Sequence, residues 1–264
     1  MASVREIKRR IKSVKNISQV TRAMQMVAAS KMRRAQEQAM ASRPYAAKSW
    51  EILTHLASQR GDVEQLHPLL FQRDEIKNVA VILITSDKGL AGAYNGNIIR
   101  KVTHYMRENE RENASLITVG RKGRDFMARF GRKIIAEFAD LPPQPSSLDI
   151  VPIARVAIDG YLSGEFDEVY LASTDFVNTL TQEPTVRLLL PIRPGMVESQ
   201  VMGQYLSSES TMAEVDYIYE PDAASLLDTL LPRFTELQIY QAVLEALASE
   251  HSARMVAMRN ATEN

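Results

Sequence analysis

No glycine occurs in the first sixty residues of this chain, and Pro44 is their only proline. Such a stretch has nothing to end a helix, so it reads as one helix over residues 1–60. Val4, Ile7, Ile11, Val14, Ile17, Thr21, Met24, Ala28 and Met32 follow one another in steps of three and four, averaging 3.5. That period belongs to a coiled-coil seam rather than to a lone surface helix. At ~1.5 Å per residue, some fifty residues reach roughly 75 Å, more than a compact domain can enclose. The helix must project, and its seam must find a partner.

A second helix without internal breakers runs from Arg233 to Asn264. Leu237, Tyr240, Leu244, Leu247, His251, Arg254 and Met258 step along it by three and four. Ala253, Met255, Val256, Ala257 and Met258 put apolar atoms on most of its faces, which requires enclosure by other protein. The simplest packing lays the two terminal helices side by side as a long antiparallel two-helix coiled coil. Pro44 is expected to bend the first helix, and Pro232 to interrupt the second near its start.

The middle has a different texture. Residues 78–85 (NVAVILIT) are continuously apolar and β-branched, as in a strand covered on both faces. Strand-like runs recur at 116–119, 133–138, 168–173 and 186–192, with helices expected at 98–110, 123–130 and 150–163. This alternation predicts an α/β domain over 76–195 with a mostly parallel sheet. Residues 60–62 are expected to stop the first helix; His67, Pro68 and residues 72–78 read as surface linker, 196–220 as a polar connecting segment, and 221–264 as the C-terminal coiled-coil helix.

A formal net charge of zero conceals polarity. Residues 1–48 carry twelve Lys/Arg against two acids, whereas residues 137–228 carry sixteen acids against Arg155, Arg187 and Arg193. A basic arm of this kind suits an acidic or anionic partner, or is simply a solvated helix face. Nucleic acid fits poorly, because Tyr45 is the first aromatic residue available for stacking. No run of about eighteen apolar residues exists, so no membrane insertion is expected. The absence of cysteine excludes disulfides, thiolate metal sites and a thiol nucleophile.

Candidate chemistry is sparse. Residues 86–97 (SDKGLAGAYNGN) follow a strand and precede a helix, where a phosphate loop would sit. Neither the phosphate-loop nor the dinucleotide pattern is met, and a tight turn explains the glycines. His55, His67, His104 and His251 show no metal-ligand spacing. No catalytic residue, metal ligand or cofactor-binding residue is assigned, and no cofactor is expected.

Residues 7–36 (IKRRIKSVKNISQVTRAMQMVAASKMRRAQ), 84–97 (ITSDKGLAGAYNGN) and 236–264 (ELQIYQAVLEALASEHSARMVAMRNATEN) resemble the gamma subunit of the F-type, rotary ATP synthase. Residues 177–192 and 217–233 match its pattern as well, so the likeness spans nearly the whole chain. The resemblance implies a coiled coil joined to a Rossmann-like α/β domain that binds no dinucleotide. It implies a central-stalk rotor that couples ion-driven rotation of the membrane c-ring to the catalytic beta subunits and performs no bond chemistry itself. The implied partners are the alpha and beta subunits of the catalytic hexamer, the epsilon subunit and the c-ring. By motif match, Arg9, Arg10, Met24 and Arg254 face the hexamer, while Tyr217, Tyr219 and Glu220 lie at the foot near the c-ring. Members usually continue past the NATEN-like segment, so the C-terminal helix is expected to be truncated at Asn264. The direct start at MASVREIKRR favours the cytoplasmic face of a bacterial inner membrane. Two other classes remain from the residues alone: a nucleotide-binding α/β enzyme with helical arms, and a coiled-coil adaptor for an anionic partner.

Overall fold

The computed structural model describes residues 4–59, 67–111, 113–193 and 223–264. Helix α1 is a single 56-residue element, Val4–Gln59. Pro44 removes one N–H, yet the helix runs on through it. The carbonyl that loses its donor is that of Met40, on an exposed turn where water can replace it.

Burial along α1 follows heptad spacing, with Trp50 also buried beside the seam. Thr21, Ala28 and Ala35 are buried at one seam position, and Ala39, Ala46 and Leu53 at the other. Small residues in the middle of the seam let the two backbones approach closely. The opposing helix here is α5, Ala223–Glu263. The hydroxyls of Thr21 and Thr262 share a hydrogen bond at 2.6 Å, and Trp50 stacks on Phe234 with ring centroids 5.4 Å apart. These two contacts fix an antiparallel register over about 43 Å. Pro232 does not interrupt α5: the helix passes through it, and the Asp228 carbonyl left without a donor lies beside a solvent-exposed side chain.

The seam N-terminal to Thr21 is not covered. Val4, Ile7, Ile11, Val14 and Ile17 are exposed, at 71% for Val4 and 57% for Ile17. Within the described residues the paired stretch of α1 begins at Thr21, which meets the last turn of α5.

Between the two helices lies a five-stranded sheet of order β3-β2-β1-β4-β5. Its strands are β1 Val79–Ile84, β2 Ser115–Val119, β3 Ile134–Phe138, β4 Glu168–Phe176 and β5 Gln182–Leu190. The first four are parallel; β5 returns antiparallel on β4 through a tight hairpin. Helices α2 (Tyr94–Glu108), α3 (Arg121–Arg129) and α4 (Ser147–Leu162) make the connections.

Strand periodicity divides the core in two. Val79, Val81 and Leu83 face α2 and α3, among Ile98, Val102, Met106 and Met127. Ala80, Ile82 and Ile84 face α4 and the helix pair, among Ile153, Ala157, Val243, Ala246 and Trp50. The coiled coil is thus built into one face of the sheet. α5 is buried nearly all round at 242–252, three turns earlier than the 253–258 stretch singled out from sequence.

Two local readings need correction. α4 begins at Ser147, not Ile150, because Asp149 reaches back to the Ser146 N–H at 2.7 Å. Pro152 consequently sits in the second turn, and the carbonyl it frees is that of exposed Leu148. Nor are His67, Pro68 and residues 72–78 a free surface linker: His67 is buried, and its Nδ1 accepts from the Leu69 N–H. Leu69 and Leu70 are core residues, and Arg73 pairs with Asp167 at 2.7 Å, whose carboxylate also accepts the Lys77 and Asn78 N–H groups.

Candidate functional site

The most elaborate polar arrangement lies where α5 crosses the carboxyl ends of β1 and β4. Ser249 donates to the Thr174 carbonyl at 3.2 Å, and Ser252 to the Thr179 carbonyl at 2.8 Å. Small hydroxyl residues let the helix lie directly on the strand ends. One turn further, Arg254 pairs with Glu250 at 2.6 Å and donates to the Gly89 carbonyl at 3.2 Å. Its guanidinium also meets His251 Nδ1 at 3.2 Å. Both charged side chains of the pair are nearly out of water, 12% exposed for Arg254 and 11% for Glu250.

Burial raises the Glu250 carboxyl above its ordinary range, with the Arg254 cation opposing it. Burial also pushes the His251 imidazole down to about 4, assisted by the Arg254 and Lys31 charges. His251 is therefore neutral at physiological pH, and its Nδ1 is free to accept from Arg254. Lys31 belongs to α1, so the cluster senses both helices of the pair and the β1–α2 loop together.

That loop holds its shape through its own side chains. Asp87 accepts from the Arg121 N–H at the first position of α3 and from the Asp140 N–H. Asn95 and Ser86 bond to each other across the turn. Gly120, at φ 92°, brings the β2–α3 turn so close to Thr85 that an added Cβ would lie 2.2 Å from the Thr85 carbonyl oxygen.

In an open α/β sheet, ligands enter at the carboxyl ends of strands where the order reverses, here between β1 and β4. Val243, Ala246, Leu247 and Glu250 of α5 close over the carboxyl ends of β1 and β2 with a void of about 50 Å³, and Ser249 of α5 sits on the Thr174 carbonyl near the end of β4. At the α3 N-terminus, the Asp87 carboxylate takes the place a phosphate would need. This geometry opposes a dinucleotide or phosphate site in the usual position. Among the described residues no cluster of three or more His, Asp or Glu is arranged to hold a metal, and no helix is long and apolar enough to cross a membrane.

The residues singled out from sequence fall in different places. Arg9 and Arg10 are exposed on the N-terminal part of α1. Met24 is half-buried beside the last pairing contact, Thr21–Thr262. Arg254 is turned inward onto its own chain. Tyr217, Tyr219 and Glu220 lie outside the described residues. Sequence reasoning passed over Glu250, Ser249, Ser252 and Asp87. The i,i+4 spacing of Glu250 and Arg254 was the one available signal, and it does not reveal burial. Leu90, Val177 and Leu180 were missed too. They are exposed on two loops flanking α5 at this level, Leu180 at 82% and Leu90 in the left-handed region at φ 63°.

A family model described as ATP synthase matches residues 3–264. The ATP synthase gamma chain of Roseiflexus castenholzii is 47% identical over 100% of this chain and 87% of its own length. That of Dehalococcoides mccartyi is 48% identical over 100% of this chain and 88% of its own. The central stalk and c-ring structure of the Tetrahymena thermophila mitochondrial ATP synthase contains a chain similar at a TM-score of 0.69 and 26% identity. That match covers 92% of this chain and 99% of the other. A chain of the Euglena gracilis mitochondrial ATP synthase rotor has the same fold, with a TM-score of 0.61 at 19% identity over 98% of this chain and 91% of its own.

Proposed function

The chain belongs to the ATP synthase gamma-chain family, and on that premise we infer that it is the central-stalk rotor subunit of an F-type ATP synthase. The observation that carries this reading is mechanical. A 56-residue helix is paired antiparallel with α5, and the pair is keyed into the sheet by Ser249, Ser252 and Arg254. Two interlocked helices resist torsion better than one, and a globular body fixed to one side makes the whole lopsided. A turning, asymmetric axle presents a different surface to each of three identical catalytic sites. Contacts that differ between conformations then shift each site toward a different nucleotide state.

In this reading the alpha and beta subunits surround the helix pair, and the beta subunits carry the bond chemistry. The epsilon subunit and the c-ring contact the globular end, with Tyr217, Tyr219 and Glu220 at the foot. The complex stands on the cytoplasmic face of a bacterial inner membrane. Arg9 and Arg10, exposed on the N-terminal part of α1, meet acidic lever loops of the beta subunits, with Met24 at the lower margin of that contact. Arg254 contributes from within, by holding the helix pair in register with the sheet. The packing of α5 on the strand ends, with Ser249 on the Thr174 carbonyl and the Asp87 carboxylate at the α3 N-terminus, disfavours the alternative of an independent nucleotide-binding enzyme.

The test is the double substitution Arg9→Gln, Arg10→Gln in the assembled complex. Copurification of alpha, beta and epsilon subunits, one copy of this chain per complex, establishes assembly. ATP synthesis driven by an ion gradient is expected to fall while assembly is retained. Undiminished synthesis would remove these arginines from the torque path, and failure to copurify the other subunits with the unaltered chain would remove the rotor assignment itself.

A further inference from the structure

A second basic region lies far from the N-terminal arm. Residues 96–133 carry ten Lys/Arg against four Asp/Glu. Some of these cations are paired: Arg111 with Glu168, Arg121 with Asp140, and Arg124 with Asp125 and Glu137. Arg100, Lys101 and Arg107 of α2 and Arg129 of α3 are exposed and make no ion pair with a carboxylate among the described residues.

Arg100, Lys101 and Arg107 line an open trough of about 850 Å³ along the outer face of α2, with Phe126 of α3 on its other side. Gly96, Arg100, Thr103 and Arg107 line it at helical spacings of four, three and four, so they form one stripe about 16 Å long. At Gly96 an added Cβ would meet nothing within 4 Å, so the trough is open at that end. Phe126 of α3 forms part of its wall and packs on Phe130 with centroids 4.6 Å apart, both rings exposed. The trough is lined chiefly by carbon, including the stems of the arginines, with the charged heads free to reach its edge. The whole face lies across the sheet from the coiled coil.

We propose that this face docks an acidic amphipathic helix of another protein. A concave, carbon-lined channel between exposed cations accepts a ridge: an apolar stripe of about three turns flanked by carboxylates. The charge complement would steer and orient that helix, while Phe126 and Phe130 supply the apolar anchor. A flat lipid surface would reach the crests of the helices rather than the trough. Nucleic-acid bases would find the two aromatic rings already engaged with each other. A helix bound here stays clear of the axle, so it would ride on the globular domain as a co-rotating subunit, or stop rotation if it were anchored to a stationary one. The surface is a property of this chain's own residues and stands whether or not the torque contacts at Arg9 and Arg10 are as described.

Because the chain has no cysteine, Thr103→Cys provides a single label site in it. Its reaction with an uncharged maleimide is timed in the complex in native membranes and in the isolated full chain. The expected result is slowing on the order of tenfold in the complex, as for a site that must open locally to react. Zero-length carbodiimide coupling should join Lys101 to an Asp or Glu of another polypeptide, located by mass spectrometry. Arg100→Glu with Arg107→Glu should abolish both effects while the alpha and beta subunits still copurify. Equal labelling rates without cross-links would overturn the proposal, as would protection that survives the charge reversal. Protection lost in mild detergent, together with binding of the isolated chain to phosphatidylglycerol vesicles, would assign the face to lipid instead.

Discussion

Replacing Arg254 by Met removes the cation paired with Glu250, a residue only 8% exposed. Breaking a buried pair from one side costs about 3–5 kcal/mol, since the remaining charge has lost its counterion and cannot reach water. The residual exposure of both side chains places the expected loss at the lower end, about 3 kcal/mol. At roughly 3 kcal/mol per molar urea, the unfolding midpoint of the isolated chain should fall by about 1 M. Met255 and Val256 lie next to the position, so the methionine side chain itself should be accommodated.

The same reasoning fixes a pH signature. Glu250 has a raised folded-state pKa, so its contribution favours the fold at low pH and is lost as pH rises through that raised value. Without Arg254 the carboxyl rises further, and the deficit of the variant should grow from pH 4.5 to pH 8. The double variant Glu250→Leu, Arg254→Met leaves no buried charge and should recover most of the loss, because a well-packed apolar pair is often no worse than a buried ion pair. Urea titrations of the three variants at pH 4.5 and 8 decide the matter. A single variant within 1 kcal/mol of the parent, or a double variant no better than the single, would refute the argument that the pair is a buried clamp.

Substituting His251 by Gln tests the other titrating group of the cluster. Its pKa falls from 6.5 to about 4 on folding, so stability is lost as pH drops through that interval, by about 3 kcal/mol in full. The parent minus variant difference in urea stability should shrink by up to that amount on acidification, and a pH-independent difference would contradict a buried neutral imidazole. Gly120→Ala should cost about 3 kcal/mol or more, because its Cβ would meet the Thr85 carbonyl at 2.2 Å and φ is 92°. Thermal unfolding within 2 °C of the parent would show that the turn can shift.

The sequence by itself determined what is local and periodic. The lack of glycine before residue 61 and the 3.5-residue seam fixed α1, and its backbone hydrogen bonds close within the helix whatever surrounds it. The continuous β-branched run at 79–84 determined a strand buried on both faces, and the alternation after it determined a largely parallel sheet. Spacing also ruled out a phosphate loop at 86–97. What one-dimensional patterning could not carry is relative placement. The stripe does not say which α5 residue each α1 position meets, and only the tertiary register, Thr21 on Thr262 and Trp50 on Phe234, decides it. Likewise β5 has no local mark of direction, since antiparallel pairing is set by the hairpin it closes with β4. Arg254 looks like a surface cation in sequence and becomes a buried clamp because α5 lies across the strand ends. Periodicity is a property of neighbours along the chain, whereas burial of a charge depends on which distant segments exclude water from it, and that is decided only when the helix pair and the sheet pack together.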